Sequence, residues 1–308
     1  MPELLKAEYH QLADGGRMRY ARFAPTLPPR GTILVAPGRR EFIEKKYAEL
    51  GAEFLKRGFV VIIFEWRGQG LSSRFLTGAK HQREYIGDFS TYLDDLRSFY
   101  NAVVKPSLAK PLITCGHSMG AHILLRWMAD DKPAEVTGTI LTAPMLALTL
   151  KAAQRVAQGL CTVAVHMGYG EDYAPSMHDY NDQDRAFAGN PLTNDAERFT
   201  IIQRYFDATP EMAVGGVTWQ WLHAALQSMH KLDQHGYLQQ IKTPVLAIMG
   251  GKDHVTPAAQ LLHYLNLLPN MEAVTLDGAL HDILNELDEY RRGAWKAIDR
   301  FLARIIEE

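Results

Sequence analysis

The chain has 308 residues, of which 47% are hydrophobic and 22% charged, and its formal net charge is −2. This composition is typical of a globular protein, and the length allows one large domain with a substantial core. No long basic run is present, so the sequence lacks the clustered positive face of a nucleic-acid binding protein. The two cysteines, Cys115 and Cys161, show no metal spacing or disulfide framework, which favours two reduced thiols.

The first twenty residues contain acidic side chains near their start and lack the apolar segment of a signal peptide. No window reaches the about 18 uninterrupted apolar residues that a transmembrane helix requires. We therefore expect a cytoplasmic protein, and peripheral contact with the inner face of the membrane stays open.

Continuous apolar runs rich in β-branched residues predict parallel strands that are buried on both faces. These runs lie at 31–37, 59–65, 111–116, 138–144 and 244–250, with an edge strand at 18–25 and a final strand at 271–278. Segments with helical periodicity lie between them, and the last one covers residues 285–305. Alternating strands and helices predict a doubly wound α/β sheet.

The alternation stops between residues 147 and 240, where the sequence is helical and loop-rich. We expect a core made of residues 1–146 and 241–308, with residues 147–240 inserted as a helical cap. Within the cap, Trp219, Leu222 and Leu226 recur at helical spacing and form an apolar stripe.

The stretch Gly116-His117-Ser118-Met119-Gly120 follows a predicted buried strand and opens a predicted helix. Gly-x-Ser-x-Gly in that context is a nucleophile elbow, a tight turn that holds a serine exposed above the sheet. The glycines are needed because bulky neighbours would clash in the turn. The helix that starts at Met119 directs its N-terminal amides at the same place.

A serine needs a base, and the base needs an orienting carboxylate. Asp253 follows the predicted strand 244–250, and His281 follows the final strand, which gives the chain order Ser, Asp, His. Both lie at the carboxyl ends of strands, where α/β sheets place their sites. We predict that His281 takes the proton of Ser118 and that Asp253 orients the imidazole.

The other histidines and carboxylates nearby fit these roles less well. His254 precedes the last strand, Asp282 is expected to point away, and His117 is expected to shape the turn. No metal-ligand spacing appears, so we expect neither a metal nor a cofactor. For the oxyanion hole we predict the backbone amides of Met119 and of Arg39, in the loop after the first buried strand.

The sequence resembles the bacterial lysophospholipases of the α/β-hydrolase superfamily, in the branch that includes monoacylglycerol lipases and serine aminopeptidase-like proteins. The resemblance covers nearly the whole chain and rests on APGRREFIEKKYAELG, RGQGLSSRFL, GHSMGAH, LTAPML, VGGVTWQWL and LHDILNELDEYR. It implies a mostly parallel eight-stranded sheet and places the family triad on Ser118, Asp253 and His281. Glu65 and Trp66 depart from the family pattern without touching the triad.

The resemblance implies an ester hydrolase acting on single-chain lipids, either lysophospholipid or monoacylglycerol. The stripe Trp219, Leu222 and Leu226 either lines an acyl pocket or only packs the cap onto the core. Arg39 and Arg40 are candidates for binding a substrate phosphate. The apolar stretch 145–167 either contacts a membrane surface or is a buried cap helix.

Two other classes stay open. A small-ester carboxylesterase or an aminopeptidase would use the same triad, and the latter could draw an acidic clamp from Asp172, Asp179, Asp182 and Asp184. A non-catalytic hydrolase-fold ligand receptor needs only the pocket, and the intact triad argues against it. The sequence does not fix the oligomeric state.

Overall fold

A computed structural model of the chain describes residues 4–146 and 154–307. One eight-stranded sheet runs through them in the order β1-β2-β4-β3-β5-β6-β7-β8. The strands are Glu8–Gln11, Arg17–Phe23, Thr32–Ala36, Val60–Phe64, Leu112–His117, Val136–Thr142, Val245–Gly250 and Met271–Leu276, numbered β1 to β8. β2 pairs antiparallel with β1 and β4, and the other neighbours are parallel. The predicted α/β-hydrolase fold with a doubly wound, mostly parallel sheet is confirmed.

The edge of the sheet differs from the prediction. The segment predicted as the edge strand forms β2, which lies inside the sheet, and the edge is β1. β1 is short and largely exposed, with the sequence Glu-Tyr-His-Gln. It therefore lacks the apolar signal by which the other strands are found.

The central strands are buried because alternate side chains point into two separate cores. In β3, Leu34 and Ala36 belong to one core, whereas Ile33 and Val35 belong to the other. This division follows from the two-residue period of a strand. Both faces must therefore be covered by helices.

The described helices are α1 Ile43–Lys46, α2 Ala52–Lys56, α3 Ser90–Phe99, α4 Met119–Asp131, α5 Gln154–Ala164, α6 Ala196–Ala208, α7 Trp219–Leu232, α8 Ala258–Leu265 and α9 Asp288–Glu307. A π-helical turn, Tyr47–Gly51, joins α1 to α2. α2 and α9 cover one face of the sheet through Phe54 and Ile298. α3, α4 and α8 cover the other face through Leu96, Leu124 and Leu261.

The segment between β6 and β7 contains helices α5, α6 and α7, whereas the two strands themselves are neighbours in the sheet. Residues 147–153 of the predicted cap lie outside the described residues. α7 packs against the core with Trp221, Ala225 and Met229. α5 instead has large exposed apolar side chains, so a fully buried helix at 145–167 is wrong for its described part. None of the described helices combines the length and the apolar character needed to cross a membrane.

Candidate active site

Ser118 lies in the turn between β5 and α4, with φ 48° and ψ −113°. A non-glycine residue with positive φ is strained, which is the backbone geometry of a nucleophile elbow. A Cβ at Gly120 would overlap the carbonyl oxygens of Ala36 and Pro37, so only glycine lets α4 approach β3 this closely. The turn itself and its close contact with β3 therefore position the serine together.

The loops after β7 and β8 bring two more side chains to Ser118, because the carboxyl ends of parallel strands lie at one edge of the sheet. Nε2 of His281 lies 3.1 Å from Oγ of Ser118. Nδ1 of His281 lies 2.8 Å from Oδ2 of Asp253. The structure thus brings together the three residues that the sequence predicts as nucleophile, base and orienting acid.

Asp253 is buried and accepts hydrogen bonds on both carboxylate oxygens. The amides of Val255 and Thr256 donate to Oδ1 over 2.7 and 3.0 Å, and the Thr256 hydroxyl donates to Oδ2 over 2.8 Å. Burial by itself would raise the pKa of Asp253, but the hydrogen bonds from His281 and Thr256 bring the pKa below its ordinary value. The carboxylate is therefore ionised at neutral pH and available to orient the imidazole.

The loop of residues 37–40, which we call the oxyanion loop because it carries the Arg39 amide predicted for the oxyanion hole, is held by hydrogen bonds to its backbone. Nε1 of Trp66 donates to the carbonyl of Pro37 over 2.7 Å, and the Arg40 amide donates to Oε1 of Gln69 over 2.7 Å. Arg40 has φ 60°, so the loop turns sharply there. Among the described residues, the Arg39 amide donates to no protein acceptor.

The Met119 amide begins helix α4, and it too has no protein acceptor within the described part of the chain. The first amides of a helix carry no intrahelical partner and favour negative charge nearby. Both amides predicted for the oxyanion hole are thus free to donate to a substrate oxygen.

The two arginine side chains of the oxyanion loop are paired with carboxylates. Nη1 of Arg39 lies 2.9 Å from Oε2 of the buried Glu84. Nη1 of Arg40 lies 3.0 Å from Oδ1 of Asp184, and the Arg40 guanidinium lies over the ring of Tyr180. A phosphate at either arginine would have to share it with a carboxylate.

The predicted pocket residues of α7 do not behave alike. Leu226 is buried, whereas Trp219 and Leu222 are half-buried, and Leu222 packs against the core that α3, α4 and α8 cover. The side chains by which α7 joins that core include Ala225, Met229 and Leu232, none of which belongs to the predicted stripe. A role of the predicted stripe in an acyl pocket stays a prediction.

The rival residues do not take the places of His281 and Asp253, as expected. His254 is exposed. Asp282 is buried and accepts a hydrogen bond from Nζ of Lys45 over 2.6 Å. Nδ1 of His117 lies 3.0 Å from Oγ1 of Thr142, and burial lowers the pKa of His117 to about 3. His117 is therefore neutral at neutral pH and shapes the elbow.

Sequence reasoning missed Thr256, Gln69 and Glu41. Thr256 stands three residues after Asp253 in a turn, an arrangement in which local hydrogen bonds from backbone and hydroxyl are common. That spacing was a usable signal. Gln69 bonds the Arg40 amide from 29 residues away, so its contact depends on tertiary packing. Glu41 lies three residues after Gly38, which is equally local, but its link through Lys45 to Asp282 depends on packing.

This fold and this constellation define a hydrolase of the α/β-hydrolase superfamily. The chain belongs to the family described as Serine aminopeptidase, S33, which matches residues 27–288. It is an enzyme of the carboxylic-ester hydrolase class, to which its curated relatives belong.

Two relatives and one solved structure give the degree of similarity. The probable lysophospholipase L2 of Haemophilus influenzae is 27% identical over 278 residues, which is 90% of this chain and 85% of the relative. Lysophospholipase L2 of Escherichia coli K12 is 27% identical over 295 residues, 93% of this chain and 84% of the relative. A monoglyceride lipase of Saccharomyces cerevisiae, solved with a substrate analogue, superposes with a TM-score of 0.76 at 19% identity and covers 99% of this chain and 97% of its own.

Proposed function

We propose that the protein hydrolyses carboxylic esters of single-chain lipids through an acyl-enzyme on Ser118. The observation that carries the proposal is the hydrogen-bonded series from Ser118 through His281 to Asp253, with distances of 3.1 and 2.8 Å. This series has the geometry of an activated serine nucleophile. The names of the lysophospholipase relatives support a lipid ester as substrate.

The proposed mechanism has two half-reactions. Ser118 attacks the ester carbonyl while His281 takes its proton, and the amides of Met119 and Arg39 donate to the oxyanion. His281 then protonates the leaving alcohol. In the second half, His281 activates water, which releases the fatty acid and restores Ser118. Asp253 stabilises the imidazolium in both halves, and the reaction needs no cofactor.

We propose that residues 147–240 form a cap over a core of residues 1–146 and 241–308. Helical structure at α5, α6 and α7, between two adjacent strands, supports this division. Contacts between the two parts support it too: the Arg39 guanidinium donates to the Gly215 carbonyl over 3.4 Å, and the Thr218 hydroxyl at the start of α7 donates to the Glu84 carbonyl over 2.9 Å. A cap in this position would enclose an acyl chain, and the buried Leu226 is the candidate for its lining.

Contact of the cap with a lipid surface is part of the proposal. An exposed apolar stripe runs along α5 and the turn after it, made of Val156, Leu160, Val163 and Met167. These residues recur at helical spacing, so they share one face. Such a face can enter a lipid interface and draw single-chain substrates from it.

An aminopeptidase is less well supported. A clamp for a substrate amine needs free carboxylates, yet Asp172 pairs with Arg83 over 2.8 Å and Asp184 pairs with Arg40 over 3.0 Å. Asp179 accepts a hydrogen bond from the Tyr173 hydroxyl. Only Asp182, which is exposed, has no side-chain partner among the described residues.

The test is fatty-acid release from lysophosphatidylcholine and from monoacylglycerol with the same acyl chain, with Ser118→Ala as the blank. Release from both, lost in Ser118→Ala, is the expected result. If neither substrate is cleaved while Ser118 still reacts with a fluorophosphonate, the lipid-ester proposal is wrong and a small-ester hydrolase or peptidase replaces it.

The head group is tested with paired variants of the oxyanion loop. Arg40→Ala should slow hydrolysis of the lysophospholipid and spare the glyceride if Arg40 binds phosphate. Asp184→Asn removes the competing carboxylate and keeps the guanidinium, so it should preserve or raise lysophospholipid turnover. Equal losses on both substrates in Arg40→Ala would exclude phosphate recognition by Arg40. Arg22→Ala is the matched control for loss of an arginine, because the Arg22 side chain is exposed.

A further inference from the structure

A group of buried charged side chains lies next to the oxyanion loop, and we call it the ion cluster. Its members are Glu41, Lys45, Lys46, Glu49 and Asp282. The three carboxylates and two ammonium groups are all less than 9% exposed. Charges this deep are stable only when they are paired, so the contacts of each member matter.

Glu41 joins the ion cluster to the oxyanion loop. Its Oε2 accepts a hydrogen bond from the Gly38 amide over 2.5 Å. Its Oε1 lies 2.8 Å from Nζ of Lys45 and 2.7 Å from Nζ of Lys46. One carboxylate therefore holds the backbone directly before Arg39 and is itself held by two cations.

The contacts continue to the segment that carries His281. Nζ of Lys45 lies 2.6 Å from Oδ2 of Asp282, the residue directly after His281. A continuous polar path thus runs from the Gly38 amide through Glu41 and Lys45 to the neighbour of the proposed base.

The same place has the ligands for a metal ion, since donor atoms of Glu41, His117 and Asp282 lie within 4.8 Å of one another. The Lys45 ammonium already bonds two of these three residues. Burial by itself would lower the pKa of Lys45, but Asp282, Glu41 and Glu49 keep that pKa well above its ordinary value. A divalent cation would have to displace this ammonium against strong repulsion, so the lysine serves as the cation of the site.

We propose that Glu41 is a positioning residue for the ester hydrolysis proposed above. By fixing the Gly38 amide, it aims the free amide of Arg39 at the substrate oxygen. The inference rests on the proposed role of the Arg39 amide, and its test therefore includes a measurement that does not depend on hydrolysis.

A carboxylate is required at position 41 because three donors converge on it. Both oxygens of Glu41 accept, one from the Gly38 amide and one from the two lysines. A glutamine has a single acceptor oxygen and a donating amide. Glu41→Gln must therefore give up either the lysines or Gly38, at nearly unchanged side-chain volume.

The matched control is Glu49→Gln. Glu49 is as deeply buried and bonds the same cluster, with Nζ of Lys46 at 3.0 Å from Oε2, but it makes no contact with the oxyanion loop. Burial raises the pKa of Glu49 to about 7, so the comparison is made at pH 8, where replacing Glu49 removes the same charge without touching Gly38. A general effect of cluster charge would appear in both variants, whereas positioning would appear in one.

The first measurement separates kcat from KM for ester hydrolysis. Glu41→Gln should lower kcat by about 10-fold to 100-fold with KM within roughly twofold, because a displaced oxyanion donor acts mainly in the transition state. Glu49→Gln should keep both constants near wild type. Equal losses of kcat in the two variants, at equal unfolding stability, would overturn the positioning role.

The second measurement is amide hydrogen exchange of the peptide that spans residues 36–42. Exchange should be faster in Glu41→Gln and unchanged in Glu49→Gln. Unchanged exchange in Glu41→Gln would overturn the inference whatever the activity. An absence of Ser118-dependent hydrolysis in wild type would instead refute the proposed function, and the exchange comparison would still decide whether Glu41 holds the loop.

If Glu41→Gln alone does not fold, Glu41→Gln combined with Lys46→Met keeps the balance of charges, since one anion and one cation are removed together. The single acceptor oxygen of glutamine must then still choose between Lys45 and Gly38. The double variant is expected to fold and to show either the same loss of kcat or, if the inference is wrong, wild-type turnover.

Discussion

The hydroxyl of Thr256 donates a hydrogen bond over 2.8 Å to Oδ2 of Asp253, the same oxygen that accepts from Nδ1 of His281. Thr256→Val keeps the shape and removes this donor from a buried carboxylate. We expect kcat/KM to fall roughly 10-fold, about 1.4 kcal/mol, which is typical for a hydrogen bond to a charged group. Steady-state kinetics on one ester substrate checks this.

Thr256→Ser restores the hydroxyl and should recover most of the activity. An equal loss in Thr256→Ser and Thr256→Val would assign the effect to packing of the methyl group and not to the hydrogen bond.

The proposed triad predicts large and unequal losses of turnover. Ser118→Ala and His281→Ala should each lower kcat by several orders of magnitude, and Asp253→Asn by about 10³-fold to 10⁴-fold, because the asparagine favours the wrong imidazole tautomer. Single-turnover release of a chromogenic alcohol is the measurement. His254→Ala is the control, since that side chain is exposed and should leave turnover unchanged; retained turnover in His281→Ala would refute the assignment of the base.

The close packing at Gly120 in the elbow leads us to expect different stabilities for two glycine-to-alanine variants. Gly120→Ala places a methyl group against the backbone oxygens of Ala36 and Pro37, which cannot move without separating α4 from β3. We expect loss of folded protein or destabilisation by about 3 kcal/mol or more.

Gly159→Ala is the matched change, in an open position of helix α5 with nothing close to the added methyl group. It should stabilise the protein by about 0.5–1 kcal/mol, because alanine favours the helix. Chemical denaturation measures both. Similar stabilities for the two variants would contradict the close approach at Gly120.

The raised pKa of Glu49 should make the free energy of unfolding depend on pH. Burial, with repulsion from Asp282, raises the pKa of Glu49 to about 7, while the pKa in the unfolded chain has its ordinary value of 4.5. Between these two values the folded state binds more protons than the unfolded state, so this group lowers stability as pH rises from about 4.5 to 7. Above pH 7 the loss is complete.

Glu49→Gln resembles the protonated form and should remove this loss. We compare the free energy of unfolding of the variant with that of wild type at each pH. The difference in favour of the variant should be larger at pH 8 than at pH 5 by on the order of 1–3 kcal/mol. Urea unfolding at both pH values measures the change. A stability difference that is the same at pH 5 and pH 8 would show that Glu49 titrates normally.

Much of this protein could be predicted from local sequence. Apolar runs identified the buried strands, because a strand covered on both faces has no polar face to interrupt it. The elbow followed from the Gly-x-Ser-x-Gly pattern between a predicted strand and a predicted helix, whereas the close approach of Gly120 to Ala36 and Pro37 is a tertiary contact. The order of Ser118, Asp253 and His281 followed from the strands that precede them. β1 was not predicted, because its four residues are mostly exposed and give no apolar pattern.

The tertiary structure decided which distant groups meet. Oδ1 of Asp184 reaches Arg40 from 144 residues away, and the ion cluster links Lys45 to Asp282 across 237 residues. Neither pairing has a local signature, because any other carboxylate distant in the sequence could have been the partner. Periodicity and turn chemistry are properties of neighbouring residues and so can be read from the chain, whereas the partners of buried charges depend on which segments the packing of sheet and helices brings together.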